Sequence, residues 1–216
     1  MKQIQPDLWQ TDWESPIPGL TTHAYLLTRG DGNVLFYNTS YRHELEHMAA
    51  LGGVAYQFLS HRDELGDSIC VIHERFGAQL GGHMLEKEEF SRTRAPDILF
   101  QERETLLGNI DIIPVPGHSP GSTCFAVQSP HGKCYLFTGD TLFRNSDGVW
   151  TAGFIPGYTA EEERTTLAES LTLLRQLRPD VVLSSAFGDA GYEEMAPADW
   201  PGHVDRALTT LLAGGE

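Results

Sequence analysis

Apolar residues recur along this chain with two different periods. Residues 23–28 and 34–37 are apolar, β-prone runs separated by Gly30-Asp31-Gly32-Asn33, whose turn chemistry predicts a hairpin. Over residues 41–51 the spacing changes, with Leu45, Met48 and Ala49 at helical intervals and Gly52-Gly53 as a stop, so a helix is expected to follow. Residues 54–59 form a short apolar run ending in the polar cluster Ser60-His61-Arg62-Asp63-Glu64, the pattern of a buried strand that delivers a polar loop.

The second half has a similar order. Residues 110–115, 123–128 and 134–138 are strand-like, and Pro130-His131-Gly132-Lys133 makes a turn. Thr159-Ala160-Glu161-Glu162 has the form of a capping box, with Thr159 accepting from the backbone of Glu162. Leu167, Leu171, Leu174 and Leu177 follow at helical spacing, and Pro179 closes that helix. Residues 180–183 read as the next buried strand and lead into the loop 184–189. Asp199-Trp200-Pro201 then starts a last helix through Val204, Ala207, Leu208 and Leu211. Residues 81–107 are the least regular and read as a connecting region. In both halves strands lead to a helix, then a buried strand, then a loop. This predicts a pseudo-duplicated α/β sandwich, two sheets packed together with helices outside, as one domain over residues 1–216.

Composition narrows the setting. The 216 residues are 40% hydrophobic and 21% charged, and no stretch reaches the apolar length that crosses a bilayer. The start, Met1-Lys2-Gln3-Ile4-Gln5-Pro6-Asp7, lacks the apolar core of a secretory signal, so a cytoplasmic location is expected. Cys70, Cys124 and Cys134 are widely spaced among apolar neighbours and read as buried free thiols. A formal charge of -15 with scattered Lys and Arg argues against nucleic acid and anionic membranes as partners. A small-molecule substrate or ligand is the expected partner.

Several loops carry metal-compatible side chains: His61, Asp63 and Asp67, then His118, then Asp140. Gly117-His118-Ser119-Pro120-Gly121-Ser122, followed about twenty residues later by Thr138-Gly139-Asp140-Thr141-Leu142-Phe143, closely resembles the third-histidine and bridging-aspartate motifs of the metallo-β-lactamase superfamily. The resemblance extends over nearly the whole chain and implies a four-layer αββα sandwich. The family pattern H-x-H-x-D-H would begin at His61, but here the second histidine is Asp63, and Leu65 and Gly66 stand at the aspartate and last histidine positions. The late metal histidine of the family meets Ser185-Ala186-Phe187. The resemblance thus implies a depleted centre in which His61, Asp63, His118 and Asp140 hold at most one divalent ion: zinc first, manganese or iron as alternatives, or none.

Residues two apart in an extended loop project to one side, which suits His61 and Asp63 as joint ligands. A second carboxylate in place of an imidazole neutralises more of the ion's charge and weakens it as a Lewis acid. Asp67, just before residues 68–72, is expected to cap a helix rather than ligate. Arg62 and Glu64 are expected to be solvated, and His23, His43, His47, His73, His83, His131 and His203 receive no role. Gly117-His118-Ser119-Pro120-Gly121 formally matches the serine-hydrolase elbow G-x-S-x-G, but Pro120 has no N–H to offer an oxyanion. Two functional readings follow: a metal-dependent hydrolase of an ester, thioester or related bond, or a binding or regulatory module that keeps the fold without catalysis. An iron oxidoreductase of the same superfamily is the weaker third, because its two-metal ligand set is absent.

Overall fold

The computed structural model describes residues 1–16, 20–186 and 190–214. The chain divides into two compact units, Met1–Gln101 and Glu102–Glu216.

The first unit is a seven-stranded sheet whose strands lie in chain order: β1 (Lys2–Gln5), β2 (Leu8–Gln10), β3 (Tyr25–Leu27), β4 (Val34–Phe36), β5 (Tyr56–Phe58), β6 (Gln79–His83) and β7 (Ile98–Phe100). The expected hairpin is β3–β4, antiparallel with Tyr25 opposite Phe36. From β4 onward the pairing becomes parallel, because helices α1 (Arg42–Ala50), α2 (Ser68–Phe76) and α3 (Lys87–Thr93) provide the crossovers that parallel strands require. Tyr41 makes no side-chain cap for α1. The Glu14 carboxylate instead accepts from the backbone N–H of Ser40 at 3.0 Å.

Two elements depart from expectation. Strands β1 and β2 carry no apolar run and escape pattern reading, since they form an edge hairpin with buried Gln5 and Gln10. Residues 81–107, expected to connect, hold most of β6, all of α3 and β7, and a strand of the second unit. The Gly81-Gly82 pair, at the start of that region, lies inside β6, where a Cβ would come within 2.6 Å of Phe58 at Gly81 and 2.3 Å of Phe90 at Gly82. These glycines let aromatic rings lie directly on the strand backbone.

The second unit is a six-stranded sheet in the order β15-β14-β11-β10-β9-β8, with a separate two-stranded ribbon β12–β13. Its strands are β8 (Glu104–Leu106), β9 (Ile110–Pro114), β10 (Thr123–Gln128), β11 (Cys134–Gly139), β12 (Leu142–Arg144), β13 (Trp150–Ala152), β14 (Val181–Ser184) and β15 (Tyr192–Glu194). Helix α4 (Glu163–Leu174) makes the crossover from β11 to its parallel neighbour β14, and α5 (Trp200–Ala213) follows β15. Leu167, Leu171 and Leu174 of α4 pack with Trp200, Val204, Ala207 and Leu211 of α5 and with Val182 and Leu136 of the sheet. Full burial of each such leucine contributes about 1.5–3 kcal/mol.

Helix α4 starts later than the capping box implies. The Thr159 hydroxyl accepts from Ile155 N–H at 3.2 Å, and so closes a turn before the helix instead of capping it. Asp67 precedes α2 but does not cap it either. Its backbone is already helical (φ -59°, ψ -25°), whereas a capping side chain needs an extended residue beneath it. The three cysteines are free thiols as expected, but only Cys124 is fully buried; Cys70 and Cys134 are partly exposed. Among the described residues no helix is long and apolar enough to cross a membrane.

Candidate metal centre

In the first unit β5 ends at Phe58, and the chain passes through Leu59 and Ser60 to His61 before a single 3-10 turn, Arg62–Glu64. His61 is extended and buried, and Asp63 stands on the turn with its side chain 38% exposed. A 3-10 turn, and not the extended loop expected from the sequence, carries Asp63, and it leaves Asp63 Oδ2 3.8 Å from His61 Nε2.

The neighbours of His61 determine which ring nitrogen carries the proton. Ser60 Oγ donates its only hydrogen to the Glu64 carboxylate, which also accepts Ser60 N–H at 2.8 Å. Ser60 Oγ, 2.8 Å from His61 Nδ1, must therefore accept there, so Nδ1 carries the hydrogen and a neutral ring bears its lone pair on Nε2. Glu64 is thus not solvated as expected; its side chain is 7% exposed and orients the histidine through the serine. Arg62 is not solvated either. Its guanidinium pairs with the wholly buried Glu86 and reaches Glu89 at 3.4 Å, because Glu86 in the interior requires a cation to offset its charge.

The second unit builds His118 and Asp140 into separate loops. Residues 115–122 connect β9 to β10 and are tied down at both ends. Val115 N–H donates to Ser122 O at 2.8 Å, the Ser119 and Ser122 hydroxyls are 3.0 Å apart, and Ser170 Oγ of α4 donates to Pro116 O at 2.7 Å. Gly117, at φ +125°, presses so closely on α4 that a Cβ would sit 2.5 Å from the Leu167 backbone. The glycines and serines around His118 therefore hold the loop in place. Ser119 is occupied by Ser122, and strand β10, not a helix, follows, so no nucleophile elbow exists here.

His118 is buried, and its Nδ1 lies 2.7 Å from Gly153 O. A carbonyl can only accept, so Nδ1 donates, and the lone pair of the neutral ring again lies on Nε2. Asp140 follows β11 at a register shift between Phe137 and Gly139, and its Oδ1 accepts from the Ser185 hydroxyl. Gly153, just after β13, touches both residues: a Cβ there would lie 1.8 Å from Asp140 O and 3.2 Å from His118 Nδ1. Neither Gly153 nor Ser185 shows a site pattern by itself, and the Ser60–Glu64 pair is visible in the sequence only as a four-residue spacing. Of the loop expected after β14, Ser184, Ser185 and Ala186 are described, and residues 187–189 lie outside the described residues.

Both histidines thus present Nε2 as a lone-pair donor with Nδ1 anchored to the protein, the arrangement that histidine ligands to metals adopt. Their donor chemistry, with Asp63 beside His61, suits a divalent cation of mixed nitrogen and oxygen preference.

Comparison with known proteins gives a consistent result. A sequence model of the metallo-beta-lactamase superfamily matches residues 35–185. No curated protein matches the chain. Among solved structures, the chain is similar to a metallo-beta-lactamase with a HARLDQ motif from Cronobacter sakazakii, at 18% identity and a TM-score of 0.67, over 95% of each chain. It is similar as well to a metallo-beta-lactamase family protein from Thermus thermophilus, at 20% identity and a TM-score of 0.70, over 98% of this chain and 81% of that one. A third likeness is to BJP-1, a subclass B3 metallo-beta-lactamase of Bradyrhizobium japonicum, at 17% identity and a TM-score of 0.62, over 95% of this chain and 97% of that one. These likenesses establish the α/β fold expected from the motifs, and at such identities they carry no information about substrate.

Proposed function

Because this chain belongs to the metallo-beta-lactamase superfamily, we propose that it is a metal-dependent hydrolase in which His61, Asp63, His118 and Asp140 hold one divalent ion, zinc in the first instance. The observation that carries this reading is the pair of fixed tautomers: Ser60 and Gly153 O each engage Nδ1 of a histidine, leaving Nε2 as the donor. A divalent ion held there would supply Lewis-acid polarisation of a carbonyl and activation of water toward an ester, thioester or related bond.

The chain's own residues have distinct roles on this reading. Ser60 and Glu64 orient His61, Gly153 O orients His118, and Asp63 contributes a carboxylate that tempers the ion's charge. Ser185 donates to Asp140, which restrains that carboxylate and draws off part of its charge. The formal charge of -15 favours a small organic substrate over a nucleic acid, and the whole chain serves as one functional domain on this reading.

The same details support a second reading, a binding or regulatory module without turnover. Leu65 and Gly66 offer no donor at two family ligand positions, and a serine hydroxyl engages Asp140 from the late-histidine position.

Elemental analysis of protein purified without chelator or nickel tests the metal. The wild type should retain about one equivalent of metal, and His118→Ala and Asp140→Ala should lose it. Absence of metal from the wild type after incubation with zinc, manganese or iron would refute the hydrolase reading. A panel of generic ester, thioester and phosphodiester substrates then separates turnover from binding alone.

A further inference from the structure

A second group of metal-compatible side chains lies in the first unit, where the end of β2 meets the first turn of α1. His43 and Glu44 begin α1, and Asp12 approaches from the segment after β2. His43 Nε2 is 3.1 Å from Asp12 Oδ2 and 3.8 Å from Glu44 Oε1, and the three residues each offer an atom within 4.8 Å of the others. Donors about 2.0–2.1 Å from a tetrahedral ion stand roughly 3.3 Å apart, a spacing that the two measured gaps bracket.

The carboxylates are held in place by contacts outside the trio. Glu44 is wholly buried, and Asp12 N–H donates to its Oε1 at 2.6 Å, which locks the two acidic residues to one another. Glu44 Oε2 is engaged by the amine of Met1 at 2.7 Å and by His47 Nδ1 at 2.9 Å. Oε1 has acceptor capacity beyond the lone pair that Asp12 N–H uses, and it lies 3.8 Å from His43 Nε2. Glu44 is ionised in this setting: burial alone would raise its pKa, but the Met1 amine, His47 and the Asp12 N–H together lower it. A simple Asp12–His43 ion pair accounts for one of the two short gaps. The second gap brings the buried Glu44 carboxylate, held by Met1, His47 and Asp12 N–H, to within 3.8 Å of the same imidazole nitrogen.

We propose that Asp12, His43 and Glu44 form a surface site for a divalent transition-metal ion, separate from the centre of His61 and His118. One imidazole and two carboxylates select zinc, manganese or nickel over calcium, which has no use for the nitrogen. Asp12 and His43 are more than half exposed, so the ion retains water and exchanges freely. This site is therefore read by titration and not by metal retained through purification.

Zinc chloride is titrated calorimetrically into metal-free full-length protein, with the imidazole NMR signals of His43 followed in parallel. The wild type should show a binding event that shifts His43, and His43→Ala and Asp12→Asn should each weaken it about tenfold or more, as expected on losing one of three donors. His118→Ala should leave the event intact, so that failure of the hydrolase reading and failure of this one are told apart. Calcium should produce no shift of His43. Unchanged zinc isotherms in His43→Ala and Asp12→Asn, both at solvent-exposed positions where circular dichroism verifies the fold, would overturn the proposal.

Discussion

Gly153→Ala tests whether one backbone position holds the second unit's site residues together. The new methyl group would be built 1.8 Å from Asp140 O, and real Cβ atoms essentially never approach closer than 3.0 Å. The two backbones must therefore separate by about 1.2 Å, a strain of the overpacking kind that costs roughly 1–3 kcal/mol. The same movement pulls Gly153 O away from His118 Nδ1, now 2.7 Å apart, and forfeits a buried hydrogen bond that contributes about 0.5–1.5 kcal/mol. The sum is a destabilisation of about 1.5–4.5 kcal/mol, read as a lower urea midpoint at unchanged m-value. The imidazole NMR signals of His118 should broaden or shift as its ring loses the acceptor that fixes its tautomer. Wild-type stability together with wild-type His118 signals would refute the argument that Gly153 sets the geometry of this loop pair.

Three further outcomes are expected. Arg62→Ala leaves the buried Glu86 carboxylate without its guanidinium and should cost about 3 kcal/mol, whereas Arg62→Ala with Glu86→Gln should recover most of that loss in urea denaturation. Leu171→Ala opens a cavity between α4 and α5 and should cost about 2–5 kcal/mol by the same assay; a loss below about 1 kcal/mol would show a loose core there. His23 should make folding pH-dependent. Burial, only partly opposed by Thr11 O and by Asp12 and Glu14, holds its imidazole below the ordinary value of 6.5. The unfolded chain then takes up a proton that the folded chain refuses. Stability should be full above 6.5 and fall as pH drops from there toward the folded-state value, with a smaller fall in His23→Gln.

Periodicity and turn chemistry determined most of the framework from the sequence alone, because hairpin β3–β4, strands β5, β9, β10, β11 and β14 and helices α1, α4 and α5 bury continuous apolar stripes that are local properties of the chain. Motif spacing likewise marked His61, Asp63, His118 and Asp140 as the residues to examine. Tertiary structure decided what depends on partners distant in sequence. Gly81-Gly82 became a strand interior because Phe58, Phe100 and Phe90 press against it, and a glycine pair carries no local sign of an aromatic ring above it. Thr159 and Asp67 lost their expected caps to backbone conformations set by neighbouring turns. Glu64 and Arg62 became a histidine-orienting acid and the counterion of Glu86, roles that depend on burial and not on residue type. The proton positions on His61 and His118 follow from Ser60 Oγ and Gly153 O. One is adjacent in the chain and the other is 35 residues away, so only the folded structure could bring that carbonyl to the imidazole.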